Sequence, residues 1–223
     1  MSEARPTLPV VALISGNGSN LQALIDAQRS GALPIDIRAV ISNRPAAHGL
    51  ERARKAGIDT TTLLPKHYAT RERYDQALQE AIDRYHPGLL VLAGFMRILT
   101  SEFVQYYSGR IMNIHPSLLP KYRGLDPHRQ ALEAGDTLHG ASVHFVTEEL
   151  DGGPVIVQGE IPVHREDTEE TLAERVQSIE HVIYPQAVGL FTEGRIRMVP
   201  HGVELDGRKL DRPLPPESIA KRN

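Results

Sequence analysis

LPVVALI-SGNGSN-LQALIDAQR, from Leu8 to Arg29, decides the fold. Leu8 to Ile14 is a near-continuous apolar run of β-prone residues, as expected of a parallel strand covered on both faces. Ser15 to Asn20 is a loop carrying two glycines, and Leu21 to Arg29 has the spacing of a helix. The same rhythm repeats downstream. Ile35 to Ile41, Leu89 to Ala93 and Arg110 to His115 read as further buried strands, with helices at Ala47 to Ala56, Arg71 to Tyr85 and Ser101 to Tyr107. In the helix from Arg71, the residues Tyr74, Leu78, Ala81, Ile82 and Tyr85 share one stripe, and His86-Pro87-Gly88 ends it. The βαβ order predicts an α/β protein with an open, mostly parallel twisted sheet and helices on both faces.

The pattern changes after the fourth strand. Ala141 to Thr147 and Val155 to Val163 read as two strands around an Asp151-Gly152-Gly153 turn. A long helix follows, with Asp167 and Glu170 as its expected capping box and Leu172, Val176, Ile179 and Ile183 as its buried stripe. Pro185 is expected to kink or end it. A hairpin-like ending turns at Asp206-Gly207, and the polar, proline-rich stretch from Arg212 to Asn223 reads as a loose tail. The expected organisation is a catalytic domain over 1–200 and a C-terminal extension over 201–223.

Composition removes several classes. With 25 basic and 28 acidic residues the net charge is -3, which is not the basic footprint of a nucleic-acid binder. There is no cysteine, so thiolate nucleophiles, disulfides and Cys-ligated zinc are excluded, and a reducing cytoplasm fits. No apolar run is long enough for a membrane span, and the N-terminus MSEARPTLP lacks the apolar stretch of a secretory signal. The ten histidines are scattered without His-Glu-x-x-His spacing, so no metal site is expected.

Two stretches carry chemistry. In the Ser15–Asn20 loop, glycines let the backbone approach an anion, the next helix offers its N-terminal N–H groups, and Ser19 and Asn20 add donors. A phosphate suits this loop. A turn that only permits tight strand–helix packing is the plainer alternative. A dinucleotide fingerprint fails, because Leu21 stands where its third glycine belongs and the second strand ends in Ser42-Asn43. The second stretch is Asn113-Ile114-His115-Pro116. Side chains two apart on a strand share a face, so Asn113 and His115 point the same way at the strand's carboxyl end. An amine attacking an acyl carbonyl builds charge on oxygen that an amide N–H and an imidazole can hold. A carboxylate beside the imidazole would favour its charged form, and Asp151 on its glycine-flanked loop is the candidate. Taken singly, Asn-x-His on a strand is more often a hydrogen-bonded structural pair than a catalyst, and Asp-Gly-Gly more often just a turn. Ser117 lacks a nucleophile elbow and reads as structural.

These blocks resemble the phosphoribosylglycinamide formyltransferase family of folate-dependent enzymes of purine synthesis. The resemblance runs from about Val10 to about Gly194. It is carried by LISGNGSNLQALIDA, SNRPAAHGLERARKAGI, VLAGFMRIL, NIHPSLLPKY, HGASVHFVTEELDGGPVI and the ERVQ…EH…YP segment, in family order. It implies a Rossmann-like formyltransferase fold ending in antiparallel strands and a long helix. It implies formyl transfer from 10-formyltetrahydrofolate, as co-substrate and without a metal, to the amine of 5'-phosphoribosylglycinamide. Asn113, His115 and Asp151 match the family's catalytic trio. Gly18, Ser19 and Asn20 match its substrate-phosphate loop, and Glu180 a carboxylate near that substrate. Met96, Arg97, Ile98 and Leu99 match its pterin segment, which would otherwise read as a strand end leading into a helix. Thr147, Glu148, Glu149, Leu150 and Asp151, with Asn113, match the other side of the folate site, and Arg71 a basic residue near the folate tail. His144 reads as a satisfied strand histidine, with a supporting role open to it.

One stretch departs from the pattern. Lys121-Tyr122-Arg123-Gly124-Leu125-Asp126-Pro127-His128 replaces Lys-Tyr-Pro-Gly-Leu-His-Thr-His. Its Arg-Gly pair resembles transferases acting on methionyl-tRNA or amino sugars. Those, and a formyltetrahydrofolate hydrolase, are the alternatives. The first is expected to carry a further basic C-terminal domain and the last an added N-terminal domain. A phosphate-binding regulatory module on the same fold is the non-enzymatic alternative. The expected partners are the two small molecules alone, with neither nucleic acid nor membrane, for a cytoplasmic monomer or homodimer.

Overall fold

The computed structural model describes residues 7–200 and 202–216. The chain divides into two compact units, Met1–Met112 and Asn113–Asn223.

The first unit is built on parallel strands. β1 (Leu8–Ile14) pairs with β2 (Ile35–Ser42) on one side and β4 (Leu89–Leu92) on the other, and β3 (Asp59–Thr62) pairs with β2. The order is β3-β2-β1-β4, with the start of β5 (Ile111–His115) beyond β4. Val10 to Ile14 are wholly buried, which is why that strand contains nothing polar. The helices are α1 (Ser19–Arg29), α2 (His48–Lys55), α3 (Arg71–Asp83) and α4 (Ser101–Tyr106). Thr70 and Thr100 cap α3 and α4 by accepting the N–H of Arg73 and Phe103, both at 3.3 Å. Tyr74, Leu78 and Ile82 form the buried face of α3.

In the second unit the order is β5, then β6 (Leu138–Phe145), then β7 (Val155–Pro162), the last two antiparallel. α5 (Pro127–Glu133) precedes β6, and α6 (Glu169–Thr192) follows β7. A three-stranded antiparallel sheet closes the unit, with β8 (Ile196–Val199), β9 (Gly202–Leu205) and β10 (Arg208–Lys209). The expected class holds: an α/β fold with a mostly parallel sheet, a long late helix and antiparallel strands.

Several local expectations are corrected. The capping box of α6 is Thr168 with Thr171, one residue later than expected. Asp167 instead accepts the His164 N–H at 2.7 Å and pairs with Arg175. Pro185 does not end α6, which runs seven residues further to Thr192. Proline removes only one ladder bond, and Ile183, Tyr184, Ala187 and Val188 around it are wholly buried, so packing outweighs that loss. Met96 to Leu99 form no regular structure rather than a strand end. The stretch expected as a loose tail is tied down at Leu214, whose N–H donates to Ile156 and whose carbonyl accepts from Gln158. The rest of that tail from 217 lies outside the described residues.

Candidate active site

In the first unit, the glycine loop is held from three sides. The Ser15 hydroxyl donates to Asn43 Oδ1 at 2.6 Å and accepts the Met96 N–H at 2.8 Å. Gly49, at the start of α2, donates its N–H to Gly16 at 3.1 Å. Arg52, one turn later, donates to both the backbone and the side-chain oxygen of Asn17, at 2.9 and 2.8 Å. Gly18 has a φ of 74°, and a Cβ on it would lie 2.6 Å from the Gly49 Cα. The packing role of this glycine is therefore real. The loop still delivers Gly18, Ser19 and Asn20 to the first turn of α1, where backbone N–H groups outnumber their helical acceptors.

The segment after β4 leaves two large apolar side chains in the open, Met96 at 63% and Ile98 at 56% exposure. Leu99 is half-buried between them and α4. The Arg97 guanidinium lies 4.4 Å over the Tyr74 ring, and its Nε is buried without a partner. The Thr100 N–H donates to Asp75 at 2.6 Å. Burial holds the Asp75 carboxyl above its usual range, against the Thr100 bonds and the charges of Arg97 and Arg71. Arg71 is exposed in the first turn of α3.

The second unit brings the expected trio together. Asn113 and His115 leave one face of β5, and both reach Asp151. Asn113 Nδ2 is 3.4 Å from Asp151 Oδ1, and His115 Nδ1 is 3.4 Å from Asp151 Oδ2. Asp151 sits at a φ of 47°, directly ahead of Gly152 and Gly153. A Cβ on Gly152 would strike the Glu149 carboxylate, and one on Gly153 would lie 1.8 Å from the Phe145 carbonyl. The Asp-Gly-Gly run is thus a turn, and the turn is what aims the carboxylate.

Sequence reasoning missed the neighbours that complete this cluster. The Tyr122 carbonyl accepts from His115 Nε2 at 2.8 Å, and the Gly124 N–H donates to Asp151 Oδ2 at 2.9 Å. Both belong to the divergent stretch, where Tyr122, Gly124 and Asp126 all have positive φ and Arg123 pairs with Glu149. His144 is closer to the trio than a strand histidine need be. Its Nε2 is 3.2 Å from Asn113 Nδ2 and 3.6 Å from Asp151 Oδ1. The available signal was the set of polar residues His139, Ser142 and His144 in a strand whose other residues are apolar or glycine. Ser142 accepts from Leu119 N–H and donates to the Ser117 carbonyl, so Ser117 and Ser142 fix the loop after β5.

Opposing electrostatic effects meet at the His115 imidazole. Burial pushes His115 below the usual imidazole value, although the Tyr122 carbonyl and Asp151 both pull it up. Desolvation therefore outweighs the carboxylate and disfavours the charged imidazole. Burial also opposes ionisation of Asp151, but its polar neighbours, among them His115 and the Gly124 N–H, outweigh it and hold that carboxyl below its usual range. Of the other expected residues, Thr147 is half-buried and Glu148, Glu149 and Leu150 are exposed on the 147–151 loop. Glu180 is buried at 7% on α6. Among the described residues no helix is long and apolar enough to cross a membrane, and no group of three or more His, Cys, Asp or Glu is placed to hold a metal.

An amide, an imidazole and a carboxylate at a strand end are what acyl transfer needs, and the chain belongs to the formyl transferase family, whose sequence pattern it matches over residues 8–188. Within that family it is 55% identical to the phosphoribosylglycinamide formyltransferase of Escherichia coli K12, over 95% of this chain and 98% of that one. It is similar too to the solved phosphoribosylglycinamide formyltransferase of Coxiella burnetii, at 51% identity and a TM-score of 0.90, covering 94% and 99% of the two chains. A solved formyltetrahydrofolate deformylase of Pseudomonas syringae is 27% identical with a TM-score of 0.84, over 91% of this chain and 67% of that one.

Proposed function

We propose that this enzyme transfers the formyl group of 10-formyltetrahydrofolate to the amine of 5'-phosphoribosylglycinamide, a step of purine synthesis. The convergence of Asn113, His115 and Asp151 carries the reading. The glycinamide nitrogen attacks the formyl carbon, a C–N bond forms, and the carbonyl π pair moves onto oxygen. The Asn113 amide and His115 Nε2–H hold that oxygen, the latter by exchanging its bond to Tyr122 for one to the substrate. With Nε2 protonated, His115 Nδ1 and Asp151 Oδ2 are two acceptors facing each other, and one proton between them joins them. The proton lost by the attacking amine, carried by an ordered water, rests there. It then passes to the folate nitrogen as the C–N bond to the folate breaks.

Gly18, Ser19, Asn20 and Glu180 bind the ribonucleotide, the first three through its phosphate. Met96 to Leu99 and Thr147 to Asp151 hold the pterin, supported by the exposed apolar pair Met96 and Ile98, with Arg71 on the folate tail. We assign residues 1–200 to catalysis and 201–223 to an extension. The enzyme works in the cytoplasm as a monomer or homodimer, on small molecules alone and without a metal. The test is formyl release from the folate with and without added ribonucleotide. Release must require the acceptor, and acceptor-independent release marks a hydrolase instead.

A further inference from the structure

We infer that His144 is a positioning residue whose tautomer decides which end of the Asn113 side-chain amide faces the reacting carbonyl. The inference rests on the proposed role of Asn113 as donor to the formyl oxygen.

His144 is 2% exposed on β6, at a register shift where Val143 pairs with Val157 and His144 with Val155. Such an irregularity twists a strand and re-aims a side chain. His144 Nδ1 lies 2.9 Å from the carbonyl of Phe145. A carbonyl only accepts, so Nδ1 carries the hydrogen, and in a neutral ring Nε2 is then a lone pair. That lone pair faces Asn113 Nδ2 at 3.2 Å and accepts one of its two protons. The second proton points toward Asp151 Oδ1 at 3.4 Å, at the long end of hydrogen-bonding range. His144 therefore holds one amide proton firmly and leaves the other lightly engaged, available to an oxygen gaining negative charge.

The alternative tautomer reverses this. An Nε2–H would face a donor, the amide would turn over, and Asn113 Oδ1 would present lone pairs to the developing oxyanion. The Phe145 carbonyl that sets the tautomer is itself fixed, because Gly153 passes directly against it. One backbone carbonyl thus orders the histidine, the histidine orders the amide, and the glycine turn that carries Asp151 packs on the same carbonyl.

The first measurement is on the unaltered protein. Nitrogen-15 spectra of the histidine rings at neutral pH should give His144 as the Nδ1–H tautomer, and an Nε2–H ring or an imidazolium overturns the inference. The second is kinetic. His144→Ala should lower kcat by up to about 10²-fold, the scale on which slight misplacement of a reacting group acts, with KM for both substrates near normal. His144→Gln, whose Oε1 can accept from Asn113, should restore most of the turnover. Asn113→Ala/His144→Ala should be no slower than Asn113→Ala alone, because both remove one function. Multiplicative losses in the double variant, or a folded His144→Gln as slow as His144→Ala, overturn the inference. If His144→Ala does not fold, the spectra and the Gln variant decide. Normal turnover in Asn113→Ala would instead remove the oxyanion reading itself, whatever the spectra give.

Discussion

β1 in the first unit and β6 in the second are both buried along almost their whole length, yet they are buried differently. From Val10 to Ile14, β1 is apolar and carries no chemistry. β6 buries His139, Ser142 and His144 within the same kind of strand. Each of the three has a partner: His128 for His139, Ser117 and Leu119 for Ser142, Asn113 and Phe145 for His144. A buried polar group without a partner costs about 1–3 kcal/mol, so polar residues persist in such a strand only as members of a network. Uniform burial therefore marks structure in β1, and interrupted apolarity marks a buried polar network in β6, the one that borders the proposed site.

The sharpest way to break this contrast is to disable the network and leave the fold. Asn113→Ala and Asp151→Asn should each lower kcat by on the order of 10²–10³-fold, as for loss of an oxyanion donor, while isothermal titration still registers the ribonucleotide. Near-normal turnover in both would leave β6 as structural as β1. Next comes Gly153→Ala, whose methyl meets the Phe145 carbonyl. We expect about 1–3 kcal/mol of destabilisation, as for overpacking, together with a fall in kcat. Unchanged kcat would separate the turn from the chemistry. The converse experiment is Leu13→Ala in β1, which should cost about 2–5 kcal/mol in denaturant melts with KM values unaltered in the folded fraction.

How far the sequence discloses the molecule follows the same division. The parallel strands were legible because burial on both faces leaves long apolar runs. β3 was not, because its Asp-Thr-Thr-Thr sequence is polar and it lies at the sheet edge, where only the β-branched threonines hint at a strand. α5 was missed although Asp126-Pro127 places proline at its first turn, a recognised start signal. At the site, side chains were legible and backbone was not. Asn113, His115 and Asp151 could be named from spacing and resemblance, but nothing in residue type shows that Tyr122 offers a carbonyl and Gly124 an N–H to them. The downward pull of burial on His115 was also hidden, since it depends on how deeply the ring is buried.

A subtler difference lies in pH. Burial, then the neighbouring His128, takes His139 from 6.5 down to about 4, and burial lowers His115 and His128 as well. These groups bind protons more readily in the unfolded chain, so their stabilising effect is complete above about pH 6.5 and lost as pH falls toward 4. Melting temperatures should decline through that window, and His139→Asn should flatten the decline. A flat profile for the unaltered protein would mean that β6 is as indifferent to protons as β1. The smallest effect belongs to Arg123, which pairs with Glu149 at the exposed surface. Arg123→Pro, restoring the family pattern, should change stability by no more than about 1 kcal/mol. A larger change would extend the network outward from β6 into that loop.

Gly18 and Gly49 have a practical meaning for anyone altering acceptor preference. Their α-carbons come so near that neither position has room for a methyl group, and Gly49 also abuts Ile14. The proposed phosphate loop thus cannot take a side chain at either glycine without moving the backbone. The start of α2 would have to shift, so the shape of this loop is set some thirty residues downstream, in the turn that launches that helix.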